Sequence, residues 1–447
     1  MLLARAAWSA YLLGHLRGQA RAPFRSGAVV ERDQARRIRA TVAYAARHVP
    51  HYRAALRRLG LEADDFRTAG DLARLPLIDR RDLQRDPESF VSTGIPRGRL
   101  VELRSGGSTG APRSVYHDHA ALFQNAAHSE RDRAVRTPVL GRRTGYRQTL
   151  IASDFSGIRK VQAFLDGRGF FPRWARVERQ NLSLLDSPAE NLARLDAFRP
   201  DALHSYGSYL GRLFAFAYEA RVPFHRPRVV TFGGDALSSA ARALIEREYG
   251  IPVFGIYQAI EALRIGFECA AHRGLHLNVD LYPLRVVDSD GRTLPAGAAG
   301  EAVVSNLVNR GTVLLNYRLG DVATLLPGAC PCGRSLPLLS PPPGRTDDVI
   351  ELASGAVVHP QAIRDLFSDE REIWQYQVIQ ETPARFRVDL VAARGGDRPA
   401  TRARVARKFA ARFGACVTME IRFVEEIGRT AQGKVRAVLS SSAGAGP

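Results

Sequence analysis

The chain has 447 residues, 45% of them hydrophobic and 24% charged, with a formal net charge of +19. That length allows a large core in more than one domain, and no run approaches the ~20 apolar residues of a membrane span. The charge does not by itself specify nucleic acid. Lysine occurs only at Lys160, Lys408 and Lys434, and arginine is spread along the whole chain beside abundant alanine and glycine. Neither an aromatic-interleaved basic stripe nor a zinc-finger spacing is present.

The N-terminal stretch "MLLARAAWSAYLLGHLRGQARAPF" is apolar, basic and free of acids. Arg5 and Arg17 bracket its apolar part, which is not the order of a signal peptide, so an amphipathic helix packed on its own protein is expected. Residues 33–60 carry a helical stripe of Ile38, Val42, Ala45 and Val49, broken at Pro50. From about 148 to 260, strand-like runs such as "QTLIAS", "DALHSY" and "RVVTFGG" alternate with helical ones, a βαβ rhythm with helices on the faces of a sheet. Beyond residue 276 the texture turns to hairpins with DG and PAG turns, which predicts a β-rich subdomain over 277–329. "SPPPGRTDD", from Ser340, reads as a linker, and the rest as a small α+β domain with a disordered tail.

Two stretches point to chemistry. "RSGGSTGAPRSVYHD", Arg104 to Asp118, holds a loop with almost no side chains. Ser105, Gly107, Ser108, Thr109 and Gly110 can present backbone N–H groups to phosphate; a plain surface turn is the alternative. Ala111 after the last glycine excludes a Walker A loop. The second is Cys330-Pro331-Cys332, a thiolate knuckle about 60 residues after Cys269, His272 and His276. Together they offer a Cys₃His zinc set, with His272 as the alternative to His276; metal-free core cysteines are the other reading. Cys416 reads as buried and inert. Four cysteines in so long a chain suit a reducing cytoplasm rather than a disulfide framework.

Five further motifs follow the glycine-rich loop in order: "TFGGDAL", "GIYQAIE", "NYRLGD", "GRTDD" and "GRTAQGK". In this order and spacing the chain resembles the adenylate-forming superfamily of acyl-CoA ligases, and within it the phenylacetate-CoA ligase-like subfamily. "ARHVPHYRAAL", "ECAAHRGLHLNVD" and "CPCGRSLP" are similar to subfamily features, His276 among them. The resemblance implies an α/β fold: a large N-terminal domain of mixed sheets flanked by helices (1–343), and a small mobile α+β domain (344–447) hinged near Asp347. It implies that the glycine-rich loop closes on ATP and that Gly233, Gly234 and Asp235 surround the adenine. Tyr257 would stack on that base, Asp321 hold the ribose, and Arg345 contact ribose or phosphate. Glu261 would reach Mg²⁺, and Arg113 and Lys434 would neutralise charge on the phosphates. Asp235 can also be read as a helix N-cap and Tyr257 as core.

The implied reaction joins a small carboxylic acid, aromatic or arylacetic, to the thiol of coenzyme A through an acyl-adenylate, with Phe155 and Phe164 as candidate walls of the acid site. Two alternatives stand beside it: transfer to an amine or carrier-protein thiol, and a non-catalytic zinc-containing scaffold. Neither a specific nucleic acid nor a membrane span is expected, and a homodimer is compatible with the sequence. The chain departs from the family pattern at Gln258 and Ile260, where relatives carry glycine and a hydroxyl residue, so the metal contacts beside Glu261 are expected to differ from the family's, and adenylation to be weakened with them.

Overall fold

A computed structural model describes residues 2–104, 113–153, 156–170, 172, 175–342, 350–353, 357–358, 362–363, 366–367, 369–414, 417–429 and 435–440. The chain forms two compact units. One comprises Met1–Thr144, Phe155–Arg176 and Ile256–Pro341; the other comprises Gly145–Asp154, Val177–Gly255 and Pro342–Pro447.

In the first unit the N-terminal helix Leu2–Leu16 packs along helix His119–His128, where Trp8 stacks on Phe123 with ring centroids 4.8 Å apart. The stripe expected over 33–60 forms two helices, Gly27–His48 and Pro50–Leu59. Pro50 opens the second because its fixed φ and missing N–H suit a first turn. Ile38, Val42, Ala45 and Val49 are all buried against the sheet. That sheet is antiparallel throughout, in the order Leu284–Val287, Ala299–Val304, Tyr317–Leu326, Leu338–Leu339, Leu275–Leu277, Leu263–Glu268 and Val253–Ala259, the last strand counted from Ile256. Strand Tyr317–Leu326 carries Tyr317 and Asp321 on either side of an irregularity, where the register against Ala299–Val304 shifts and Gly320 takes a φ of 74°. A separate hairpin, Leu100–Arg104 with Ser114–Asp118, flanks the glycine-rich loop.

In the second unit the expected βαβ rhythm gives a parallel sheet in the order Val229–Gly233, Ala202–Ser205, Arg147–Ala152 and Glu178–Ser183. Ser187 and Glu190 form a capping box on helix Pro188–Phe198. "SSAARALIEREYG" begins as the α-helix Ser239–Ala243 and continues as a π-helical turn, Leu244–Glu248. The C-terminal segment forms its own sheet, in the order Thr418–Phe423, Arg385–Ala392, Ile373–Thr382 and Val438–Leu439. Helix Arg398–Phe413 buries Val405, Phe409 and Phe413 in the same core. Among the described residues, no helix is long and apolar enough to cross a membrane.

The first unit also buries charge. Arg131 makes a bidentate pair with Asp280, both bonds 2.7 Å, and reaches Asn278 and Gln19. Burial opposes the Asp280 charge, yet Arg131 holds the carboxyl below its usual range. Removing one partner of such a pair strands the other in a dry site. Arg131→Ala is therefore expected to cost on the order of 3–5 kcal/mol in urea denaturation at pH 7, whereas Arg85→Ala, whose partner Asp82 is a surface neighbour, should change stability by less than about 1 kcal/mol.

Candidate active site

The turn after strand Val253–Ala259 carries Glu261, and its geometry is unusual for its sequence. A register shift falls between Tyr257 and Gln258, and Leu263 has a φ of 53°, a left-handed conformation rare for a branched residue. Such an irregularity re-aims side chains, and here it turns Glu261 inward, 5% exposed. Three side chains from other elements tether the turn. The Nε2–H of His117 donates to the carbonyl of Ile260 at 2.7 Å, and the amide of Asn306 donates to the carbonyl of Glu261 at 2.8 Å. The third, Tyr317, lies 3.4 Å from Oε1 of Glu261 and accepts from Arg113 at 2.9 Å. Arg113 itself is 3.6 Å from the carboxylate. The structure thus brings together Arg113 and Glu261, two residues expected to work on the phosphates.

Also in the first unit, Tyr257 is 9% exposed and its hydroxyl donates to Asp321 at 2.7 Å. The ring expected for the adenine and the carboxylate expected for the ribose are therefore linked in advance. Phe164 lies beside His119 and Phe123, at ring separations of 4.7 and 5.9 Å.

In the second unit, Gly234 takes a φ of 88° at the end of strand Val229–Gly233. Gly207 lies so near the loop that follows it that a Cβ there would stand 2.5 Å from the backbone of Ala236 and Leu237. This close approach lets Asp235 accept from the N–H and hydroxyl of Ser208, at 3.0 and 2.5 Å. Asp235 does not cap the helix that follows it; Ser238 does. Burial raises the Asp235 carboxyl above its ordinary range, against the pull of the Ser208 bonds. The backbone N–H of Val435, next after Lys434, donates to Asp235 at 3.3 Å. Ser105, Gly107, Ser108, Thr109, Gly110, Phe155, Arg345, Asp347, Cys416 and Lys434 lie outside the described residues.

The cysteine knuckle meets its upstream partners. The ligand atoms of Cys269, His276, Cys330 and Cys332 all lie within 4.8 Å of one another. Cys269 Sγ is 3.7 Å from Cys330 Sγ, and Cys332 Sγ is 3.3 Å from His276 Nε2. His272 stands apart from this group, bonded to Glu268 at 2.9 Å. Burial, then the charge of Arg334, lowers His276 to about 4, and burial pushes the Cys269 thiol up to about 12. A neutral imidazole is the form that coordinates a cation.

With this geometry in hand, known proteins supply the family. Residues 350–441 match the model of the CapK C-terminal domain. Phenylacetate-coenzyme A ligase of Thermus thermophilus is 28% identical over 360 residues, covering 77% of each chain. The enzyme of the same name from Aromatoleum evansii is 27% identical over 341 residues, covering 74% of each. The chain is thus similar over about three quarters of its length to curated phenylacetate-coenzyme A ligases. A crystal structure of 2-hydroxyisobutyryl-CoA ligase with 2-HIB-AMP in the postadenylation state superposes with a TM-score of 0.77 at 18% identity, covering 93% of this chain and 90% of that one. That likeness is one of fold.

The sequence alone assigned no role to Tyr317, His117 or Asn306. Tyr317 had a signal: it stands four residues before Asp321 in the motif "NYRLGD". His117 and Asn306 had none, since both act through backbone carbonyls far along the chain.

Burial lowers His117 to about 4, so it is neutral in the folded protein, and unfolding returns it to about 6.5. The unfolded state therefore binds the extra proton, and the stability His117 contributes is present above pH 6.5 and lost as pH falls toward 4. In urea titrations between pH 4.5 and 6, His117→Gln should reduce the slope of unfolding free energy against pH by up to about 1.4 kcal/mol per pH unit, one proton's worth, while its amide still reaches the Ile260 carbonyl.

Proposed function

We propose that this protein is an ATP-dependent, AMP-forming acid–CoA ligase acting on an aromatic or arylacetic acid. The observation that carries the reading is the grouping of Arg113, Glu261 and Tyr317, with the linked pair Tyr257–Asp321 on the same unit, in a chain homologous to phenylacetate-CoA ligases. In the first half-reaction an oxygen of the acid's carboxylate bonds to the α-phosphorus of ATP, and pyrophosphate leaves with the electron pair of the broken P–O bond. In the second, the thiolate of CoA bonds to the acyl carbon and AMP leaves.

The chain's residues hold the nucleotide and balance its charge. Asp321 accepts the ribose hydroxyls, Tyr257 offers its ring to the base, and the glycine-rich loop offers N–H groups to the phosphates. A bound Mg²⁺ would supply charge neutralisation to the phosphates. Glu261 suits it as a hard oxygen ligand at a turn that three side chains hold in place. Arg113 faces the same phosphates. Lys434 approaches both the acid and the α-phosphate, where charge grows as pyrophosphate departs. Residues 344–447, hinged near Asp347, are proposed to swing between the two half-reactions, in the cytoplasm where thiols stay reduced.

The four ligands Cys269, His276, Cys330 and Cys332 are proposed to hold one structural zinc. A tetrahedron with Zn–S near 2.3 Å has S···S edges of about 3.8 Å, close to the 3.7 Å between Cys269 and Cys330. Their chemistry, three thiols and one imidazole, is that of a closed structural site.

ATP–pyrophosphate exchange with a panel of acids tests the reading. Exchange with phenylacetate or a related aryl acid, followed by thioester formation only when CoA is added, is the expected result; no exchange with any acid overturns it. Lys434→Ala should lower exchange by about 10²–10³, yet leave thioester formation from supplied acyl-adenylate. Elemental analysis should find about one zinc per chain, with Cys330→Ser lowering both zinc content and melting temperature and Cys416→Ser lowering neither. Metal-free native protein removes the zinc from the reading without touching the ligase chemistry.

A further inference from the structure

The hydroxyl of Tyr317 stands between two opposite charges. Tyr317 is fully buried at the start of strand Tyr317–Leu326. Its oxygen accepts from Nη1–H of Arg113 at 2.9 Å and faces Oε1 of Glu261 at 3.4 Å. The two charged groups are 3.6 Å apart, with side-chain exposures of only 14% and 7%. That separation exceeds the roughly 2.7–2.9 Å of a direct charge-assisted hydrogen bond. The phenol lies between the two charges, 2.9 Å from the guanidinium and 3.4 Å from the carboxylate, and a hydroxyl can accept from a guanidinium and donate to a carboxylate at once.

The alternative arrangement would be a direct fork between Arg113 and Glu261. It would occupy both carboxylate oxygens and both guanidinium arms, leaving little for a cation or a phosphate. In the structure both contacts fall on Oε1. Among the described residues, Oε2 is then the oxygen open to a cation. Ile260, which precedes Glu261, has no hydroxyl to offer, and its carbonyl is already taken by His117. The hydrogen bond that steadies the carboxylate comes instead from across the sheet.

We infer that Tyr317 is the positioning residue for the nucleotide's metal: its hydroxyl holds Glu261 aimed at Mg²⁺ and stands in for a direct fork to Arg113. This rests on the reading of Glu261 as the Mg²⁺ ligand. A buried phenol serving only as core would make the same packing contacts without this effect, so the two roles separate in metal dependence rather than in stability.

The experiment is calorimetric binding of ATP to the full chain, with Mg²⁺ and again with EDTA, for the parent and Tyr317→Phe. The expected result is an affinity for MgATP lowered about tenfold, the order of one lost hydrogen bond to a charged group, with affinity for ATP in EDTA unchanged. In a Glu261→Gln background the Tyr317→Phe effect should vanish, because the carboxylate it acts through is gone. Equal losses with and without Mg²⁺ would overturn the inference, and so would a Tyr317→Phe effect that persists undiminished in the Glu261→Gln background. Should Tyr317→Phe not fold, Arg113→Gln decides from the other side. Glu261 then keeps its phenol, so total ATP affinity falls but the ratio of MgATP to ATP affinity stays at the parental value. Loss of that ratio would assign the positioning to the guanidinium and overturn the role of Tyr317. A parent that binds neither form of ATP would sink the ligase reading itself; a parent that prefers MgATP beside an unaltered Tyr317→Phe sinks only this inference.

Discussion

A carboxylate that is to serve a cation must be withdrawn from water and yet not consumed by the cations of its own protein. In the proposed function Glu261 is that carboxylate, and its surroundings meet both demands. It sits in a turn that is 5% exposed at this residue, with Arg113 at 3.6 Å rather than in a direct fork. The first unit is arranged around that condition. The turn is irregular, with a shifted register and a left-handed Leu263. An irregular turn of this kind persists only where surrounding structure over-determines it, and His117, Asn306 and Tyr317 supply that constraint from three separate stretches of chain.

The same antiparallel sheet links this turn to the cysteine group. Strand Leu263–Glu268 begins just after Glu261 and ends beside Cys269, while Tyr317–Leu326 carries both Tyr317 and Asp321 and leads to Cys330. Between them run Leu275–Leu277, which bears His276, and Leu338–Leu339. One end of these strands presents carboxylates and a phenol; the other gathers soft ligands. The two proposed metal sites would differ in chemistry as in need: oxygen ligands exchange readily with phosphate and solvent, whereas thiolates suit a closed tetrahedral site.

The second unit solves a related problem with backbone rather than charge. Gly207 and Gly234 let the loop after Val229–Gly233 lie against helix Gly207–Glu219, and Asp235 fastens it through Ser208. A carboxylate near the N-terminal end of a helix is favoured by the free N–H groups there. Burial works against that charge, so the hydrogen bonds of Ser208, with the N–H of Val435, are what keep the loop in place.

Much of this was legible in the order of residues. The βαβ rhythm, the break at Pro50, the hairpin texture beyond 276 and the six ordered motifs are local patterns, and local patterns follow from periodicity and turn chemistry that each stretch carries in itself. The spacing of Cys330 and Cys332 likewise announced a knuckle, and the sequence favoured His276 as its partner with His272 as the alternative, since both lie near Cys269. Only the pleat of the sheet separates them: His276 enters a strand paired with Leu338, while His272 sits in a left-handed turn with Glu268 as its partner. The roles of Tyr317, His117 and Asn306 were decided in the same way. Their bonds join residues between 45 and 143 positions apart, and no pattern in a linear sequence specifies which distant donor will reach a given carbonyl or carboxylate. That choice belongs to strand register and to the requirement that a buried polar group find a partner, which exists only once the chain has folded.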